Sequence, residues 1–428
     1  MKSSSNFQLI VLAVFGLCIV FGLAAFALYK GSNSSAGSGV PVVMWGTISA
    51  TIMQEAFAVA YSSEASKYVT YVEKKVEKFD QDYIEAVASG QGPDVILIPQ
   101  DSILLYRNRV SEIPFTAFSQ RTFQDTFINE ASMYQTSTGY SALPLTLDPL
   151  VLYWNRDLFN DVNLAVRPKY WDEIVAIVPK LTQKDARRNI IQSALPIGTS
   201  QNILNSKEIL AALFLQAGTT IVGVNKGAYV STLESNGVAN QALSFYTQFA
   251  NPTSPAYSWN LGMQNSRNAF LAGSAAMYIG FASEYQLLRN KNPNLNFDVT
   301  NFPQAKNVKT KSTYGRMMGM AISRTSRNAD ALTLIVTLSG KNVVDTMSAR
   351  MFLPPVRLDS LAESTTDPVR SVFFDSAYYA KGWYDPNRIE SSKIFGEMSD
   401  SVVSGSQNVS EALNRASAQI GLSIQALK

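Results

Sequence analysis

The stretch Asp94-Val95-Ile96-Leu97-Ile98-Pro99 does most to limit the folds open to this chain. A Gly92-Pro93 turn leads into an unbroken apolar run with no polar alternation. A strand of that kind must be covered on both faces, as in a parallel sheet flanked by helices. The residues around it fit. Pro41 to Trp45 reads as a second buried strand ending at Gly46-Thr47, and Met53, Phe57, Ala60 and Tyr61 recur at helical spacing. Tyr68 to Val72 supplies another strand, and Tyr83, Ile84 and Val87 mark a helix that Gly90 closes in left-handed geometry. The order is βαβαβ, which predicts right-handed crossovers and a doubly wound α/β sheet.

One such sheet does not use up 428 residues, of which 46% are hydrophobic, so two or more lobes are expected. A second block opens at Leu143 with a long apolar run. It continues with a short helix from Trp171 that Pro179 closes, a helix from Ser206 to Gln216 stopped by Gly218, a helix from Ala239 to Phe249, another from Arg267 to Leu271, and a buried strand at Ala275 to Phe281. The chain has no His and one Cys, Cys18, which removes the usual base, nucleophile and zinc ligands. Lys and Arg total 36 against 33 acids, too even a balance for a nucleic-acid partner. Asp80, Asp82 and Glu85 do not reproduce a calcium loop. No metal or cofactor is expected.

Phe7 to Tyr29 contains Gln8 as its one strongly polar residue. As a helix it would be about 34 Å long, enough to cross a bilayer core of about 30 Å. Residues 1–30 are therefore read as a retained membrane anchor, the rival being a cleaved signal ending near Ala25-Phe26-Ala27. Lys2 and the amino terminus place the rest of the chain outside. Leu17 before Cys18 and the apolar residues after it argue against lipidation. Residues 31–40, rich in Gly and Ser, form a flexible linker. No other stretch is long enough to span, so the chain is not a permease.

Five landmarks occur in a telling order: VVMWGT at 42–47; EAVASGQGPDVILI at 85–98; ALPLTLDPLVLYWNRDLF at 142–159; YSWN at 257–260 with AFLAGSAAMYIG at 269–280; and LPPVR at 353–357 with WYDPN at 383–387. Together they resemble the extracellular solute-binding proteins of ABC importers, in particular the sugar-binding group that includes maltose-binding protein. The resemblance implies a two-lobe periplasmic-binding-protein fold with a hinge. It assigns 41–147 plus 281–316 to one lobe and 148–280 plus 317–428 to the other, with crossings near 146–149, 278–282 and 314–318.

A sugar presents an apolar C–H face and a rim of hydroxyls, so its site needs flat aromatics and polar rim groups. On that ground, and on the resemblance, the candidate ligand-binding residues are Trp45, Thr47, Gln100, Asp101, Asp148, Trp259, Tyr278, Gly280, Tyr314, Arg316 and Trp383. Trp259 is the expected stacking face. Asp148, set between two apolar runs, is expected to face a solvated cleft, because a buried unpaired carboxylate is costly. The expected role is a monomeric, membrane-anchored receptor that captures a carbohydrate, in the first instance an oligosaccharide, and delivers it to ABC permease subunits without catalysing a reaction. The rivals are a receptor for a polyamine, phosphodiester or peptide, and an extracytoplasmic glycosidase using Asp101 and Asp148.

Overall fold

The computed structural model describes residues 40–234, 236–306 and 310–427. The expected anchor and nearly all of the linker lie outside these residues. Among the described residues no helix is long and apolar enough to cross a membrane.

The chain opens as β1 (Val42–Gly46), α1 (Ala50–Tyr61), β2 (Val69–Glu73), α2 (Val76–Ala88) and β3 (Val95–Pro99). β1 lies between β2 and β3 and is parallel to both, with Val42 opposite Val69 and Met44 opposite Val95. Val95 to Ile98 are buried, as the unbroken apolar run requires. Gly90 closes α2 at φ +71°. Gly46 is needed for packing: a Cβ there would come within 2.5 Å of Leu97 and 2.7 Å of the Tyr71 hydroxyl.

Two long strands then tie the molecule together. β4 (Leu143–Asn155) pairs through its first half with β7 (Thr313–Ser323), and through its second half with β5 (Met277–Phe281) and β6 (Phe297–Asn301), all antiparallel. β7 also pairs antiparallel with β3. The main path is therefore β5-β4-β7-β3-β1-β2, and the parallel block is interrupted by one strand that runs back from the other lobe.

Two hydrophobic cores divide the chain. One joins β1–β3, α1, α2 and Leu143, Leu145 and Leu147 to Met317, Met320, Leu334, Ile335, Val344 and Met347. The other joins Leu150 to Tyr153 with Trp259, Tyr278, Phe297, Phe302 and Tyr314, and with Ile394, Leu413 and Ile420 far along the chain. The chain passes between cores at 147–150, at 314–317, and again between Met351 and Trp383. This corrects the expected lobe boundaries. Residues 281–316 stay with the second lobe, because β6 completes the sheet on the second half of β4 and buries Phe297 and Val299 beside Tyr153. Residues 317 to about 351 belong to the first, where the helix after β7 and the next one pack on α1. The strand at 278–282 is consequently internal to the second lobe and not a crossing. The helix from Trp171 runs to Leu181, past Pro179. A proline so close to the end removes one ladder bond and leaves the last residues in place.

Candidate ligand-binding cleft

A cavity of about 1210 Å³ lies between the lobes. The first lobe contributes Thr47 and Ile48 beyond β1, Phe79 of α2, and Asp101 just beyond β3. Thr146, Asp148, Arg316, Met317 and Met318 come from the crossing strands. The second lobe contributes Ser200, Ser283, the start of α3 (Ser206–Gln216) and one face of α5 (Arg388–Val403), while Met351, the last residue of α4 (Lys341–Met351), also lines it. The site therefore sits beyond the carboxyl ends of the parallel strands, where sheets of this kind open a crevice.

Three of the four cations in the wall are matched, while the fourth, Lys393 on α5, is exposed and has no ion pair among the described residues. Arg316 Nη2 bonds Asp148 Oδ2 at 2.8 Å, its register partner in the β4–β7 ladder, and its guanidinium lies 3.7 Å from the centroid of the Phe281 ring. Ser283 donates to Asp148 through its backbone N–H at 3.0 Å and its hydroxyl at 2.7 Å. Arg388 Nη2 reaches across the cleft to Asp80 Oδ2 on α2 at 2.8 Å, and the Tyr106 hydroxyl donates to the other Asp80 oxygen. Lys207 Nζ bonds Asp385 Oδ2 at 2.9 Å, with side-chain exposures of 4% and 0%. Burial opposes the charge on Lys207, but the carboxylates of Asp385, Glu208 and Asp101 outweigh it and hold the ammonium pKa above its ordinary value. Burial also raises Asp385, against the pull of Lys207.

Asp101 differs. It is 6% exposed, it faces the cavity, Ser102 Oγ approaches it at 3.4 Å, and among the described residues no cation pairs with it. A buried carboxylate in that setting needs donors, and the cavity is where they would come from. Asp400 accepts from the backbone N–H and hydroxyl of Ser200 at 3.0 and 2.6 Å, fixing a second carboxylate in the wall.

Of the residues expected from sequence, Thr47, Asp101, Asp148 and Arg316 meet in this wall. The aromatic expectations are corrected. Trp259 is fully buried in the second core and donates through Nε1 to Asn202 Oδ1 at 2.9 Å. Trp383 is buried against Phe395, with ring centroids 5.7 Å apart. Tyr278 is buried and donates to Glu284 Oε2 at 2.6 Å, while Glu284 Oε1 accepts from Asn205, the residue before α3. Gly280 is tight because a Cβ would meet Tyr278 and Glu284. Tyr314 is buried between the lobes. Trp45 is half-buried on β1 with Lys74 Nζ 3.8 Å from its ring centroid. Gln100 is buried, its side chain bonded to the backbone of β7. Trp259, Tyr278 and Gln100 find hydrogen-bond partners inside the fold, whereas Tyr314 and Trp383 are held by packing, their polar atoms buried without a partner among the described residues.

Sequence reasoning passed over Lys207, Arg388 and Asp400. Asn387, after Asp385-Pro386, caps α5 by accepting from Ile389 and Glu390, and that start signal places Arg388 in the first turn facing the cleft. The start of α3 was equally visible, and Lys207 stands in its first turn.

The sequence model for bacterial extracellular solute-binding proteins matches residues 56–370. The galactooligosaccharide-binding protein of Bacillus subtilis (strain 168) is 23% identical over 328 residues, which cover 74% of this chain and 73% of that protein. A crystal structure of a cyclo/maltodextrin-binding protein complexed with maltotetraose shares the fold with a TM-score of 0.75 at 17% identity, covering 92% of this chain and 100% of the other. An ABC transporter solute-binding protein from Thermotoga lettingae TMO, bound with α-D-tagatose, gives 0.67 at 18% identity, with coverages of 90% and 99%. With that match across most of its length, and with two lobes around a central cleft, the chain belongs to the bacterial extracellular solute-binding proteins.

Proposed function

We propose that this protein is the receptor of an ABC importer for a carbohydrate, in the first instance an oligosaccharide, held at the outer face of the membrane by its N-terminal segment and acting as a monomer on permease subunits encoded elsewhere. The observation that carries the reading is the wall of the 1210 Å³ cavity. Its buried or half-buried cations Lys207, Arg316 and Arg388 are each engaged by a carboxylate, which leaves Asp101, the exposed Lys393 at the rim and the Ser and Thr hydroxyls to bond a neutral polyol. The apolar face of a sugar would rest on Ile48, Phe79, Met317 and Met318, not on a tryptophan. Relatives whose names carry sugars support the ligand class. Both Asp148 oxygens are occupied by Arg316 and Ser283, which suits a structural carboxylate better than one partner of a hydrolytic pair.

A cationic solute such as a polyamine is the second reading, favoured by the buried, unpaired Asp101. A thermal-shift screen with maltotetraose, galactooligosaccharides, tagatose and spermidine separates the two, since a solute that binds the folded state raises its melting temperature. A saccharide should give the shift, and Asp101→Asn should weaken its binding by about 1–2 kcal/mol, roughly 5- to 30-fold. A shift with spermidine alone would replace the sugar reading.

A further inference from the structure

The ladder between β3 and β7 ends at Pro99 opposite Met318. β7 continues toward the second lobe beside β4, with Gly315 opposite Pro149 and Arg316 opposite Asp148, and at Thr313 and Tyr314 it pairs with Ala380 and Lys381. Between these two backbone pairings lies Gly315–Met317, the stretch where the chain passes between cores. Gln100 meets it there. Its side-chain Nε2 donates to the Gly315 carbonyl and its Oε1 accepts from the Met317 N–H. A carboxamide offers the same donor and acceptor pair as a peptide unit, so this side chain stands in for the strand residue that β3 no longer supplies. Gln100 is 1% exposed, and both of its polar groups are used.

The surroundings hold it in place. The Tyr134 hydroxyl lies 3.2 Å from both the Ile98 and the Met317 carbonyl oxygens. A Cβ on Gly382 would come within 2.6 Å of Gln100 Nε2 and 2.7 Å of Glu130 Oε1, so the segment that passes from Ala380 in the first core to Trp383 in the second presses directly on the amide. Asp101, the next residue, faces the cavity, and so does Arg316, which lies between the two gripped backbone groups.

We infer that Gln100 is the positioning residue of the hinge. Its side chain keeps Gly315–Met317 fixed to the first lobe, so that the lobes pivot on the second-lobe side of Gly315 and Asp101 and Arg316 keep one spacing in the cleft throughout the motion. The inference rests on the reading of the molecule as a receptor whose lobes move.

The test uses the full chain in detergent with no solute, so an empty ligand screen leaves it readable. Spin labels at Ser89→Cys in the first lobe and Ser406→Cys in the second, with Cys18→Ser removing the native thiol, report the spread of inter-lobe distances. Gln100→Leu loses both bonds and should at least double the width of that spread at every pH. Gln100→Glu keeps the shape. As a neutral acid it donates to the Gly315 carbonyl and accepts from the Met317 N–H; as a carboxylate it turns an oxygen on that carbonyl. The charged or titratable groups about this position are Asp101, Glu130, Tyr134, Tyr314, Arg316 and Lys381. Burial raises the Glu130 carboxyl, and burial together with the neighbouring carboxyls would raise an introduced one. The variant should therefore match the parent at pH 5 and broaden as the pH rises to 9, while the parent stays unchanged. If both variants, folded by circular dichroism, match the parent at both pH values, the inference fails. If neither folds, hydrogen exchange in the parent decides: the Met317 amide must exchange within tenfold of the β7 amides paired to β3, and faster exchange overturns the proposal.

Discussion

Replacing Lys207 by Met removes one half of the most deeply buried ion pair in the cleft wall. Methionine keeps the length and most of the volume of the side chain, so the loss is electrostatic. Asp385 would keep Ser391 Oγ at 2.6 Å and the Asn387 N–H at 3.0 Å, but it would lose its cation at a site with no solvent exposure. Breaking a buried pair from one side costs about 3–5 kcal/mol, whereas replacing both partners by apolar residues is often neutral. For a lobe of this size that corresponds to a fall in melting temperature of roughly 6–20 °C. The pH dependence has a definite sign. Without Lys207 the folded-state pKa of Asp385 rises further above its unfolded value of about 3.9. The native state then binds the extra proton, and stability falls as pH rises through that interval. Lys207→Met should accordingly be closer to the parent at pH 5 than at pH 8. Urea and thermal denaturation of Lys207→Met, Asp385→Leu and the double variant at both pH values provide the measurement. A loss below about 1 kcal/mol at pH 8 for Lys207→Met, or a double variant as damaged as the worse single one, would refute the reasoning.

Trp259→Ala should cost about 3–5 kcal/mol of stability through a cavity in the second core. Trp259→Phe should keep most of the packing and bind solute like the parent, where a stacking role would predict weakened binding at unchanged stability; calorimetry and denaturation on the same samples separate the two. Arg388→Gln should open the molecule modestly, since a pair only partly withdrawn from solvent, such as Arg388–Asp80, contributes on the order of 0.5–1 kcal/mol. A larger radius of gyration by solution scattering at low salt that converges with the parent at high salt is the expected result, and identical radii at low salt would remove the pair as a cross-cleft tie. The intact protein should fractionate with membranes, and Cys18→Ser should leave that unchanged; an N-terminal sequence beginning at Leu28 would show cleavage instead.

The parts of the fold that can be read along the sequence are those whose cause is local. The run at Val95–Pro99, the Ser206–Gln216 helix and the long apolar run from Leu143 carry their patterns locally, and the structure shows ordered elements at those places. Asp148 was legible because a carboxylate between apolar runs must find a partner or a cleft, and it found both. The aromatics misled because the polar residues around Trp259 read as a solvated rim. In the fold Asn202 draws those groups into a loop bracket, accepting from Trp259 and from the Thr199 hydroxyl and donating to the Asn260 and Met263 carbonyls. Lys207 with Asp385, and Asp80 with Arg388, are 178 and 308 residues apart, and no periodicity links positions at that distance. The lobe boundaries failed for a related reason: the second half of β4 pairs with β6 as well as with β5, and pairing across that separation leaves no mark on either strand alone.

The place of β7 between β3 and β4 also bears on the birth of the protein. When β3 has been synthesised its edge stays open until Thr313–Ser323 arrives, and at about 5–20 residues per second that interval is roughly 10–45 s. The first lobe therefore cannot close its sheet from its own N-terminal stretch, and contacts so distant in sequence make for slow folding. The first lobe of a nascent chain in this condition stays incomplete for most of its synthesis, and an incompletely folded chain is the form that a protein-conducting channel accepts. The same delay leaves a short but wholly apolar edge unpaired on the way out, so a chaperone able to cover Val95–Ile98 would gain most during that interval.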